Sequence, residues 1–224
     1  MTNHTVVIAC ATVIEEMLPL MPEGMEHHTL EFGLHVYPDK LRTTVQATID
    51  EMVAAHPGEE LTILLGYGLC SQALVGVEAR GCTLVLPHVD DCIAIFLGSR
   101  SAYKQQAGKE PGTYYLTKGW VEVGETPFTE YQHAVERYGQ ARADRIFKIM
   151  MSNYRRLALI NTGQYEIEKF RDYARRTAEQ FSLRYEEIPG ATTLVEKLLF
   201  GPWNDEFVVL HPGEAFRLDH FYHN

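Results

Sequence analysis

Cys10, Cys70 and Cys92 each come just after a short apolar run: TVVIA (5–9), LTILLG (61–66) and TLVLP (83–87). Runs of this length and composition, bounded by Gly, Pro or polar residues, predict buried β-strands. The three sulfurs are therefore expected just beyond three strand ends. Three thiolates brought together can hold one face of a [4Fe–4S] cluster and leave one iron open, or bind zinc with a histidine or water as fourth ligand. Thiolate is a soft donor, which favours zinc, Cu(I) and iron–sulfur iron over magnesium or calcium. The separations between residues 10, 70 and 92 match no compact zinc-finger or ferredoxin run, so the fold must supply any convergence. Free cysteine is also a common core residue, and Cys82, which opens the TLVLP strand, is read that way.

The other polar residues expected at strand ends are His35, His88, Asp90, Asp91, Asn161 to Gly163 and His211. Cys70 begins CSQALVGVEA and Cys92 sits in the first turn of DDCIAIFL, both with helical patterning. A helix N-terminus would stabilise a thiolate at either position, making it a candidate nucleophile. His88 or His35 is then the natural base. Cys70, His88 and Asp91 are the candidate catalytic residues, while Asp90 and Asp91 are also well placed to cap the helix that follows. Gly66 and Gly68, in GYGLCSQ, would let the backbone approach a ligand closely or simply make the turn. They do not complete a G-x-G-x-x-G fingerprint. Tyr115 and Trp120, in TYYLTKGW, are candidates to cover a bound cofactor or substrate, or to form a homodimer contact. His220 and His223 near the C-terminus read as scattered terminal histidines.

The elements that must position these residues alternate between apolar runs and amphipathic stretches, which implies βαβ units. The expected fold is α/β, a single domain over 1–224. It has one doubly wound, mostly parallel sheet with helices on both faces, and ligands bind beyond the carboxyl ends of the strands. The glycine-rich, aromatic segment at about 108–128 interrupts the alternation and reads as a central loop or hairpin insertion.

The chain has 224 residues and a formal charge of −10, with 46% hydrophobic residues. That balance predicts a globular protein and argues against a nucleic-acid partner, which requires clustered Lys and Arg. No run is long and apolar enough for a membrane span, and no signal peptide is recognisable. With few cysteines and no disulfide framework, the expected location is cytoplasmic, with a small-molecule substrate as partner. The absence of G-x-x-x-x-G-K-[ST] and G-x-S-x-G disfavours P-loop and serine-hydrolase chemistry.

The segments Tyr67–Cys70 (YGLC), Pro87–Ser99 (PHVDDCIAIFLGS) and Pro111–Trp120 (PGTYYLTKGW) resemble the signature segments of the DUF1638 family. GLHVYPDKL (33–41) and GPWNDEFVVLHPG (201–213) extend the likeness over nearly the whole chain. Members of that family often lie beside genes for corrinoid-dependent methyl transfer from methylated amines. The resemblance therefore implies one-carbon metabolism and a corrinoid or methyltransferase protein as partner. Family members commonly carry arginine where this chain has His88. No D-x-H-x-x-G corrinoid-binding run is present, so a corrinoid would have to be carried by the partner. Three readings follow: a metal-dependent enzyme, a non-catalytic corrinoid or small-molecule binding accessory, and a metal-free cysteine-nucleophile enzyme.

Overall fold

The computed structural model describes residues 3–123 and 126–222. In chain order the elements are β1 (Asn3–Cys10), α1 (Ala11–Met17), β2 (Glu26–Leu30), α2 (Pro38–Ala55), β3 (Glu60–Gly66), β4 (Thr83–Pro87), α3 (Cys92–Phe96), α4 (Arg100–Lys109), β5 (Thr113–Leu116), α5 (Lys118–Val123), α6 (Pro127–Tyr138), α7 (Gln140–Met150), β6 (Arg156–Asn161), α8 (Glu168–Gln180), β7 (Arg184–Pro189), α9 (Thr193–Phe200), β8 (Phe207–Leu210) and α10 (Asp219–Tyr222). The class is α/β, as the alternating pattern implies. Where the sequence suggests one sheet, the structure has two. A five-stranded sheet has the order β2-β1-β3-β4-β8, and a three-stranded sheet has the order β5-β6-β7. The chain forms two compact units: residues 1–101 with 192–224, and residues 102–191.

In the first unit β1, β2, β3 and β4 are parallel, and β8 alone runs antiparallel, against β4. Val6 to Ala9 of β1, Ile63 to Leu65 of β3 and Leu84 to Leu86 of β4 are fully buried. Such unbroken apolar runs are what strands covered on both faces require. The amphipathic α2 buries Leu41, Val45, Ile49 and Met52 at helical spacing, starting from Pro38 at its first position. At Gly66 a Cβ atom would lie 2.5 Å from the Ala9 Cβ, so only glycine lets β3 pack this closely against β1 at that point.

The second unit replaces the expected hairpin at 108–128. TYYL becomes β5, whose partner is β6, Thr113 pairing with Arg156 in parallel, and GWVEV lies in α5 rather than in a return strand. A parallel pair needs a long crossover, which α5, α6 and α7 provide; a tight turn would have been enough only for an antiparallel pair. Arg156, at the start of β6, is 1% exposed. It donates to Thr113 Oγ1 at 2.9 Å, to Glu186 at 3.0 Å and to Gln106 at 3.2 Å, tying α4, β5, β6 and β7 together. We expect Arg156→Met to destabilise this unit by about 2–3 kcal/mol, below the range for fully buried pairs because Glu186 keeps Arg184 and solvent. Urea unfolding followed by circular dichroism measures this.

Candidate functional site

At the carboxyl ends of β1, β3 and β4 the structure brings Cys10, Cys70 and Cys92 into one neighbourhood. Each thiol reaches the rim by a different local route. Cys10 is both the last residue of β1 and the N-cap of α1, in extended conformation, so strand passes to helix with no loop between them. It is 8% exposed, and its Sγ lies 3.5 Å from Thr12 Oγ1.

Cys70 follows β3 in a segment stitched to the β4–α3 loop by two main-chain hydrogen bonds. Leu69 N donates to Val89 O at 2.9 Å and Cys70 N donates to Asp90 O at 3.1 Å. A Cβ on Gly68 would lie 2.8–2.9 Å from the Asp91 backbone, so glycine is what allows the two loops to meet. At Gly66 the close neighbour is the Ala9 side chain, and at Gly68 it is the Asp91 backbone.

The helix expected from Cys70 onwards does not form. Cys70, Ser71 and Gln72 all have positive φ, 45°, 55° and 66°. Three consecutive non-glycine residues in the left-handed region make one left-handed turn, closed by Ala73 N donating to Cys70 O at 3.1 Å. Each costs roughly 1–2 kcal/mol against the right-handed form, so surrounding contacts must hold the turn in place. With no right-handed helix, no helix dipole acts on the Cys70 thiol. Cys92 does open α3, and Asp91 caps it, its Oδ1 accepting from Ile93 N at 2.9 Å. That is the capping role the sequence allows for Asp91.

The electrostatics follow from burial. Desolvation, opposed by a hydrogen bond with the Gly68 backbone and reinforced by Cys10 and Asp91, pushes the Cys70 thiol up to about 12. Burial, with Cys70, Asp91 and Cys10 as neighbours, pushes Cys92 well above the usual thiol range. The mutual influence of the three thiols is the mark of their convergence. Among the described residues no cation is among the groups acting on either thiol, and burial raises both. At pH 8 the Cys70 thiol is almost wholly protonated. We therefore expect iodoacetamide to modify Cys70 in the metal-free protein far more slowly than a free thiol. The rate should climb about tenfold per pH unit, because a raised pKa leaves the whole assay range on the protonated side. Peptide mass mapping after timed quenching measures it.

Tyr67 completes the site and was not singled out as a site residue from the sequence. It is 3% exposed, and its hydroxyl has no hydrogen-bond partner among the described residues. Burial first, then the nearness of Cys10, Cys70 and Cys92, raises its pKa well above the ordinary value, so the phenol stays protonated. A buried, unpartnered hydroxyl costs about 1–3 kcal/mol unless something pairs with it. The signal in the sequence was Tyr67 within YGLC, three residues from a candidate ligand.

Both ring nitrogens of His88 are engaged away from the thiols: Nδ1 donates to Asp205 O at 3.2 Å, and Arg100 Nη1 lies 3.4 Å from Nε2. His35 is exposed, with Nδ1 donating to Phe32 O in a short 3-10 turn. His211 follows the antiparallel β8, so it lies at the opposite end of the sheet from the thiols. Asn161 to Gly163 follow β6 of the other sheet. Tyr115 and Trp120 belong to the second unit, where Tyr115 meets Tyr103 edge to face and Trp120 packs against that unit's core. Cys82 is buried before β4 begins, with burial and the nearby Asp50 raising its thiol to about 11, in keeping with a packing role. His220 lies in α10, and His223 is outside the described residues. No helix among the described residues is long and apolar enough to cross a membrane.

No curated protein and no solved structure matches the chain. A family model does, over residues 29–199, and its description reads "Protein of unknown function (DUF1638)". The match takes in Tyr67, Cys70, Asp91 and Cys92 together with the whole second unit, and because it spans most of the sequence, the chain belongs to the DUF1638 family.

Proposed function

We propose that the protein is a metal-dependent enzyme in which Cys10, Cys70 and Cys92 hold an iron–sulfur cluster, and that the cluster's open iron meets a small-molecule substrate. The observation that carries this is the buried, unpartnered Tyr67 hydroxyl set among three thiols from three adjacent strand ends. Three cysteines from three adjacent strand ends can each take one iron of such a cluster and leave a further iron open.

In this reading the cluster supplies a Lewis-acidic or redox-active iron. The chain's own contribution is a fixed set of ligands and a buried, protonated phenol able to donate to an oxygen or anionic ligand. Cys70 and Cys92 are part-exposed as residues, while their thiols are desolvated. The left-handed turn at Cys70 to Gln72 is strain of the kind held at ligand-binding sites. Because the thiols are protonated when free, cluster assembly releases protons and is favoured by rising pH. One-carbon or methylated-amine metabolism is the substrate area that the family resemblance suggests, with a corrinoid or methyltransferase protein as partner and the reducing cytoplasm as compartment. Anaerobic purification followed by iron and sulfide analysis and electron paramagnetic resonance tests the proposal. Protein that takes up neither iron nor sulfide after anaerobic reconstitution would sink it.

A further inference from the structure

At the other end of β1, about 20 Å from Cys10 at 3.3 Å per residue, a second group of ligand-type side chains meets. His4 lies near the start of β1, Glu26 begins β2, and His56 terminates α2. Val6 pairs with Glu26, and alternate residues of a strand share a face, so His4 and Glu26 stand on one side of the sheet, where the end of α2 brings His56. Glu26 Oε2 is 3.1 Å from His4 Nε2 and 3.1 Å from His56 Nε2. Among the described residues this is the one triad of His, Cys, Asp or Glu whose ligand atoms all lie within 4.8 Å of one another.

The hydrogen bonds around the triad leave it short of a cation. His56 Nδ1 lies 2.9 Å from Met52 O, and a carbonyl only accepts, so the ring proton is on Nδ1. That leaves a lone pair on Nε2 facing the carboxylate oxygen Oε2, two acceptors opposed at 3.1 Å. The contact becomes favourable only if a second proton charges His56 or a metal ion sits between the two atoms. The His56 ring is mostly enclosed and stacked on the His4 ring, with centroids 4.2 Å apart, which fixes its orientation toward Glu26. Burial alone would push Glu26 up, but hydrogen bonds from His28 and His4 hold it below the usual carboxylate range, so it is an anion.

We infer that His4 Nε2, His56 Nε2 and Glu26 Oε2 form a binding site for a divalent transition-metal ion of the zinc class. Two imidazoles and a carboxylate are the donors that such ions prefer. Ligand atoms 3.1 Å apart stand close to the edge of a tetrahedron with bonds of 2.0–2.2 Å, roughly 3.4 Å. The surroundings supply what such ligands need. Met52 O fixes the His56 tautomer, and His28 Nε2 donates to the second carboxylate oxygen, Oε1, at 3.2 Å, which turns Oε2 to the ion. Glu59 stands 3.9 Å from His4 Nδ1, on the side away from Glu26. Three protein ligands leave the fourth position to solvent, and His4 and Glu26 are each about one-third exposed there.

Titrating the full-length protein with Co2+ tests the site separately from the thiols. Visible d–d bands of a tetrahedral ion on nitrogen and oxygen donors, saturating at one equivalent and without thiolate-to-cobalt charge transfer, are expected. Cys92→Ser should keep the bands, while His4→Ala and the isosteric Glu26→Gln should remove them. His28→Ala should weaken binding about 10–100-fold. Three outcomes overturn the inference: no Co2+ retained on gel filtration, bands that survive both His4→Ala and Glu26→Gln, or a charge-transfer spectrum lost in Cys92→Ser. The first two leave the iron–sulfur proposal untouched, since its readout is iron and sulfide, and the third would place the cobalt on the thiols instead.

Discussion

Cys70→Ser is expected to lower the iron and sulfide retained by the anaerobically isolated protein at least tenfold. Perturbing a residue that merely supports a metal ligand costs about 10–100-fold in affinity, and loss of a ligand removes more. The position gives little scope for compensation. Leu69 and Cys70 are pinned to Val89 and Asp90 through their main-chain N–H groups, and the left-handed turn fixes where the side chain emerges. Serine offers a harder oxygen on a shorter bond, which iron–sulfur iron accepts poorly. Cys10→Ser and Cys92→Ser should behave alike. Cys82→Ser is the control: it buries a hydroxyl ahead of β4, costing about 1–3 kcal/mol of stability, with iron content unchanged. Equal iron in Cys70→Ser and Cys82→Ser protein would remove Cys70 from the ligand set.

Gly68→Ala is expected to destabilise the first unit by about 3 kcal/mol, the upper part of the range for overpacking a well-filled site. That lowers the melting temperature by roughly 6–12 °C for a protein of this size. The added methyl would fall 2.8–2.9 Å from three backbone atoms of Asp91, and backbone cannot rotate away as a flexible side chain can. Relief requires separating the β3 and β4 loops, which breaks the bonds at Leu69 and Cys70 and shifts two of the three thiols. Reduced cluster retention should therefore accompany the loss of stability. Gly108→Ala is the comparison: it sits in α4 with no atom within 4 Å of the added carbon, and it should be neutral or stabilising by up to about 1 kcal/mol. Calorimetric melting of both variants decides it. Equal melting temperatures would mean that the two loops do not pack as described.

The family match and the geometry of the thiols divide the chain unevenly. Cys70 and Cys92 lie within the matched residues 29–199, and Cys10 does not. The third thiol is tied to the other two through the register of β1 against β3, in which Ala9 pairs with Gly66. Of the His4, Glu26 and His56 triad, only His56 falls within the match.

Much of the local structure follows from periodicity and residue type. Apolar runs such as VVIA and LVLP become strands because continuous burial on both faces demands them, and α2 follows from the spacing of Leu41, Val45, Ile49 and Met52. The placement of three cysteines at the carboxyl ends of strands, and of Cys82 away from them, was legible for the same reason. Pairing between distant strands was not. TYYL and RLALIN carry no local mark that they pair with each other instead of joining β4, nor does FVVL show that it runs antiparallel, which carries His211 to the far rim. A helix at CSQALV looked natural from propensity, yet tertiary contacts with the β4 loop impose a left-handed turn there. The orphaned Tyr67 hydroxyl and the His4–Glu26–His56 triad are likewise products of packing. Composition and periodicity set which segments are strands and helices, because burial is a local property of the pattern. Only the tertiary structure decides which strand ends and helix ends meet, because those contacts join residues tens of positions apart whose types alone do not encode a partner.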